Sequence, residues 1–146
     1  MKHIFGIILL AIILESEAQS SLIGEWDCII EISYGSAKSK LIINSFGKTY
    51  ENTGEIKYVN DNGLTLIHAT SYEKGSLSID KNTLTFHPLE ADVNIITSAD
   101  PDKDTQKSES LKELLKDETL DYEINENGYL IMSSKADENK INCKKQ

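Results

Sequence analysis

Two cysteines stand almost at opposite ends of a 146-residue chain, Cys28 in the segment Trp26-Asp27-Cys28 and Cys143 three residues before the last. Ahead of them, residues 1–18 have the pattern of an export signal. Lys2 and His3 give a basic start, and Ile4 to Leu14 form an apolar run relieved only by Gly6 and Ala11. Eleven residues rise about 16 Å as a helix, roughly half the hydrocarbon core of a bilayer, which is too short for a retained anchor. Ser16 and Ala18 supply the small side chains that place cleavage after Ala18. A lipid anchor would need a cysteine at the end of the apolar run, whereas Cys28 follows the bulky, charged Glu25-Trp26-Asp27. The expectation is a periplasmic or secreted protein without a membrane anchor. In such an oxidising compartment two cysteines most simply form one disulfide. It would tie the first strand of the mature protein to the last, which suggests a closed, all-β architecture. Closing a loop of that length contributes about 4–5 kcal/mol on the chain-entropy model.

Residues 19–146 are enough for one domain with a single core. Without Lys2, Glu15 and Glu17 the chain carries 14 basic and 22 acidic groups, a net charge of −8. Nucleic acid is excluded as a natural partner, because phosphate neutralisation needs clustered cations; a basic protein is the electrostatically favoured one. Every basic residue is Lys, so the bidentate clamp that Arg offers to carboxylates and phosphates is missing.

The dominant period is two. Trp26, Cys28, Ile30, Ile32 and Tyr34 share one face of a half-buried strand, and Ile141 shares a face with Cys143. Between them, residues 39–46, 49–59, 64–73, 76–80, 83–87, 92–98, 119–125 and 129–134 read as strands rich in Ile, Leu, Thr and Tyr. Asn60-Asp61-Asn62-Gly63 and Asn125-Glu126-Asn127-Gly128 end in the Asn-Gly pair that favours a tight hairpin, and Gly47, Gly54 and Gly75 mark further turns or bulges. Strands at such short intervals predict an antiparallel meander that removes its own edges by closing into a barrel. One short helix interrupts it before the last strands. Leu111, Leu114 and Leu115 have helical spacing, with Ser110 and Glu113 as a capping box.

Gly24-Glu25-Trp26 at the start of the first strand resembles the Gly-x-Trp signature of lipocalins and related calycin barrels. The closer resemblance is to small exported bacterial lipocalin-like proteins that begin with Trp-x-Cys and finish with a cysteine in the last strand. It implies an eight-stranded barrel whose Trp packs across the closed end and whose other end admits an apolar ligand. It also implies a basic residue over the Trp, for which Lys140 or Lys144 is available. Two departures stand out: Thr119, Asp121 and Tyr122 only partly reproduce the family's Thr-Asp-Tyr loop, and the helix precedes the final strands instead of following the eighth.

Catalytic chemistry finds little footing. His68 and His87 have no neighbouring motif that supplies a nucleophile or carboxylate, and the chain contains no phosphate-cradling glycine loop, zinc-binding His-Glu-x-x-His or nucleophile elbow. Asp117-Glu118 and Asp137-Glu138 read as solvated turn residues. Asp100-Pro101-Asp102-Lys103-Asp104 resembles the start of a calcium loop. It fails further on, with Thr105 at the position of the glycine and Leu111 at that of the bidentate glutamate. No metal or cofactor is implied.

The expected function is therefore non-enzymatic binding of a small apolar or amphipathic ligand inside the barrel, with Tyr50, Ile56, Tyr58 and Leu66 as candidate lining. Those residues would equally make an ordinary filled core. The alternative is a periplasmic or secreted inhibitor or immunity protein that caps a basic hydrolase or toxin, favoured by the acidic charge. An apolar pocket open at one end speaks for the first, a filled core with a protruding acidic loop for the second. Oligomeric state is not set by these features.

Overall fold

A computed structural model describes residues 21–32, 34–113, 115–135 and 139–146. The expected signal peptide, Leu114 of the apolar trio, and Asp137 and Glu138 lie outside the described residues. Eight antiparallel strands form one closed barrel in which each pairs with its neighbours in sequence. They are β1 (Gly24–Ile32), β2 (Gly35–Ile43), β3 (Thr49–Val59), β4 (Thr65–Asp80), β5 (Thr83–Ser98), β6 (Glu118–Ile124), β7 (Tyr129–Ser133) and β8 (Lys140–Lys145). β8 closes on β1, with Cys28 directly opposite Cys143 and the disulfide formed between them. Both cysteines are buried, so the bond lies inside the core.

Ten segments with strand character become eight strands because two pairs of them fuse. Residues 64–73 and 76–80 run on as β4, and 83–87 and 92–98 as β5. Gly75 is the reason: the β4–β5 register shifts between Lys74 and Gly75, and a side chain there would bring its Cβ within 2.0 Å of the His87 carbonyl oxygen. The close approach lets the ladder bend as a bulge instead of breaking.

The hairpins are built by asparagine as much as by glycine. Asn60 Oδ1 accepts from the N–H groups of Asn62 (3.0 Å) and Leu64 (2.8 Å). Asn125 Oδ1 does the same for Asn127 and Tyr129, both at 3.0 Å. In the β2–β3 loop Asn44 Oδ1 accepts from Phe46 and Lys48 at 3.1 and 3.2 Å. Each asparagine is followed three residues later by a glycine at positive φ, at +63°, +77° and +77° for Gly47, Gly63 and Gly128. The side chain imitates a backbone turn while the glycine returns the chain to the strand.

Helix α1 (Asp104–Lys112), entered through a 3-10 turn at Pro101–Lys103, begins and ends earlier than the leucine spacing implies. Its N-terminal flank is Lys103, not Ser110, so Ser110 and Glu113 form no capping box. It packs on the far half of β5, which β6 leaves unpaired beyond Phe86, and Ser108 Oγ donates to the Val93 carbonyl at 2.6 Å. The helix thereby covers a strand edge that would otherwise be open.

Candidate ligand cavity

Cross-strand registry sorts the barrel interior into rows. Gly24, Ile43, Tyr50 and Gly75 face one another at one end. The next rows are Trp26, Leu41, Asn52 and Glu73, then Cys28, Ser39, Gly54 and Ser71, then Ile30, Ala37, Ile56 and Ala69. The first row lies in a solid plug with Leu22, Leu77, Leu84 and Leu130, all at most 5% exposed. Trp26 closes this end. It is 1% exposed, its Nε1 donates to the Leu22 carbonyl at 2.8 Å, and Lys145 Nζ stands 5.2 Å above its ring centre while donating to the Ser21 carbonyl at 3.0 Å.

The cation over the tryptophan is therefore Lys145, and the expectation of Lys140 or Lys144 is corrected. Side chains alternate along a strand. With Cys143 facing inward, Lys145 shares its face and the even-numbered lysines point outward.

Along the other rows the interior is not filled. A partly enclosed cavity of about 220 Å³ is walled by Ile30, Leu41, Ile56, Phe86, Leu120, Met132 and Ile141, with Ala37, Ser39, Gly54 and Ser71 leaving the space. Leu115 and Lys116, in the connection from α1 to β6, form part of its wall. Leu115 thus belongs to the cavity and not to a helix face.

The cavity has a polar end. Asn52 and Glu73 lie opposite each other, and Glu118 enters from β6. Burial is the main force pushing the Glu73 carboxyl above its usual range; the nearby Glu118 charge adds to it, while Asn52 and Tyr50 pull it back. The Tyr50 hydroxyl is likewise raised, by burial first and then by Glu73, Asp117 and Glu118. Its ring makes an edge-to-face contact with Phe86, centroids 4.9 Å apart.

Of the expected lining, Ile56 is in the wall. Tyr50 is buried beneath it, at the polar end. Tyr58 follows Ile56 on the same face, half-buried and beyond the lining, and Leu66 is 40% exposed. Ile67, paired with Tyr58, takes the inward position that Leu66 was expected to hold. The polar members were missed, although Asn52 and Glu73 could have been found by asking which polar residues fall in phase with inward apolar ones.

Each histidine acquires a carboxylate that local sequence did not supply. His68 Nε2 lies 2.6 Å from Glu55 Oε1, and His87 Nδ1 lies 2.8 Å from Asp117 Oδ2. Both pairs are solvent-accessible and outside the cavity lining. In the acidic segment Asp100 pairs with Lys103 at 3.0 Å and Asp104 approaches Lys107 at 3.9 Å. Among the described residues no three His, Cys, Asp or Glu side chains converge as metal ligands, and no helix is long and apolar enough to cross a membrane.

Fold and site together define a disulfide-closed, eight-stranded up-and-down β-barrel with one plugged end and an internal cavity. No protein-family model matches the chain, and no curated protein shows significant sequence similarity to it.

Proposed function

We propose that this is an exported, non-enzymatic binding protein of lipocalin-like kind that holds a small apolar or amphipathic molecule in its barrel. The observation that carries the reading is the cavity of about 220 Å³, whose aliphatic side chains and Phe86 meet a set of polar and charged groups, in a barrel whose opposite end is packed solid. An apolar hollow with a few convergent polar groups is the usual form of a small-molecule site. The tryptophan plug with a cation above it supports the resemblance to lipocalins, while a helix between β5 and β6 departs from that family's arrangement. The buried disulfide supports export.

The inhibitor reading called for a filled interior and a protruding acidic loop. The interior has a cavity, and the acidic segment carries its own lysine partners.

Native mass spectrometry of the oxidised protein purified from its own host, before and after mild organic extraction, tests the proposal. A bound small molecule lost on extraction is the expected result. A bare polypeptide two mass units below its reduced form, with no gain in stability from any small apolar additive, would turn the search towards protein partners.

A further inference from the structure

The polar end of the cavity is unsatisfied in a particular way. Asn52 and Glu73 face each other across the β3–β4 ladder, and Tyr50 lies on the same inward face one step deeper. Asn52 Oδ1 and the Tyr50 oxygen are buried and accept no hydrogen bond, while the Asn52 amide and the Tyr50 hydroxyl lean as donors towards the Glu73 carboxylate and lower its pKa. Tyr50 as a whole is 2% exposed. A buried polar atom without a partner is destabilising, and native proteins keep few of them.

What these three groups offer in common is acceptors: a carboxylate, an amide oxygen and a phenolic oxygen. The complementary donor is a primary ammonium, with three N–H bonds on one positive centre. An alcohol donates once, and a carboxylate or phosphate donates nothing while meeting the negative charge of Glu73 and Glu118.

Deepening the reading of the cavity as a ligand site, on which this rests, we infer that it receives a primary ammonium group between Glu73, Asn52 and Tyr50, carried on a short apolar body held by Ile30, Ile56 and Phe86. The partly enclosed space of about 220 Å³ fits a small body such as a single ring or a short alkyl chain. That favours small alkyl or aryl-alkyl monoamines. The other charges near the site are Glu118 from β6, Asp117 and Lys116 from the α1–β6 connection, and Lys38 from β2. Bound beside Glu73, the ammonium offsets the burial that raises its carboxyl. Amine binding therefore ionises any protonated Glu73 and releases a proton.

Isothermal titration of the disulfide-closed protein with 2-phenylethylamine, 2-phenylethanol and phenylacetate, in two buffers of different ionisation enthalpy, provides the test. The expected result is at least tenfold tighter binding of the amine than of the alcohol, any proton release confined to the amine, and loss of the preference in Glu73→Gln. Asn52→Leu, which removes one acceptor and the amide that helps hold Glu73 ionised while keeping the carboxylate in place, narrows the preference as well should Glu73→Gln not fold. Equal affinity for amine and alcohol, or tightest binding of phenylacetate, overturns the ammonium assignment and leaves the cavity reading standing. Failure of all three probes, together with no extractable molecule in the native mass spectrum, overturns both.

Discussion

The two ends of the barrel interior are made by the same strands and differ in side-chain volume. Towards Leu22, β2 to β4 present Ile43, Tyr50 and Leu77, none more than 5% exposed. Towards the hairpin that carries Tyr34, the inward positions of those strands include the small residues Ala37, Ser39, Gly54, Ala69 and Ser71 beside Ile56. Backbone pairing is continuous through both halves of β2 and β3. A closed barrel of this size is therefore solid or hollow according to a handful of inward residues, and this chain is solid at one end and hollow at the other. The polar atoms are divided the same way: Trp26 Nε1 has its acceptor in the plugged end, while at the cavity Asn52 Oδ1 and the Tyr50 oxygen have no donor.

The largest effect expected is from the bond that holds both ends in one frame. Replacing Cys28 and Cys143 together by Ser should lower unfolding stability by about 4–5 kcal/mol, read as a shift of the urea midpoint. Next, Trp26→Ala should cost about 3–4 kcal/mol, whereas Ile56→Ala, in a wall that already borders a void, should cost about 1 kcal/mol or less. Similar losses at the two sites would break the contrast between plug and cavity. The third prediction sharpens it from the other side. Ala37→Leu adds volume where there is space, so its stability should stay within about 1 kcal/mol of the parent while uptake of any extractable molecule disappears. If the variant unfolds, that half is as tightly packed as the plug.

Glu73→Gln is the fourth, and its effect depends on pH. Burial raises the Glu73 carboxyl above its ordinary value of 4.5. The stability this group provides is complete below that value and is lost as pH rises through its folded-state pKa, because the carboxylate must then be charged inside the barrel. The variant should match the parent near pH 4 and melt higher at pH 7–8, by a few degrees at most, since 1 kcal/mol moves a domain of this size by about 3–6 °C. A melting difference that does not change with pH would show that Glu73 is not ionising in place. The smallest effect belongs to Lys145→Met, about 0.5–1 kcal/mol from loss of the cation over Trp26, with Lys140→Met and Lys144→Met near zero.

Much of the barrel was legible in the linear chain. Alternation around Trp26-Asp27-Cys28 assigned inward and outward faces, Asn-Gly pairs located two hairpins, and the terminal cysteines implied closure. Lys145 was legible in principle, since parity with Cys143 decides it. The two fused strands were not, because a glycine in a strand reads alike as a turn or a bulge until the partner backbone is seen to pass at Gly75. Leu115 was misread as a helix residue for a related reason: leucines three and four apart fit a helix, and only packing shows where α1 stops.

Local physics thus determined the strand periodicity, the disulfide and the closed all-β form, each of which depends on residues close in sequence or on a pair with no other partner. Tertiary structure alone decided that Ser39, Gly54 and Ser71 stand in one row, that Asn52 faces Glu73, and that His87 meets Asp117 thirty residues away. Those juxtapositions depend on the register between strands, and register is set jointly by every turn and bulge around the barrel. The cavity is a property of that alignment, which no single strand contains.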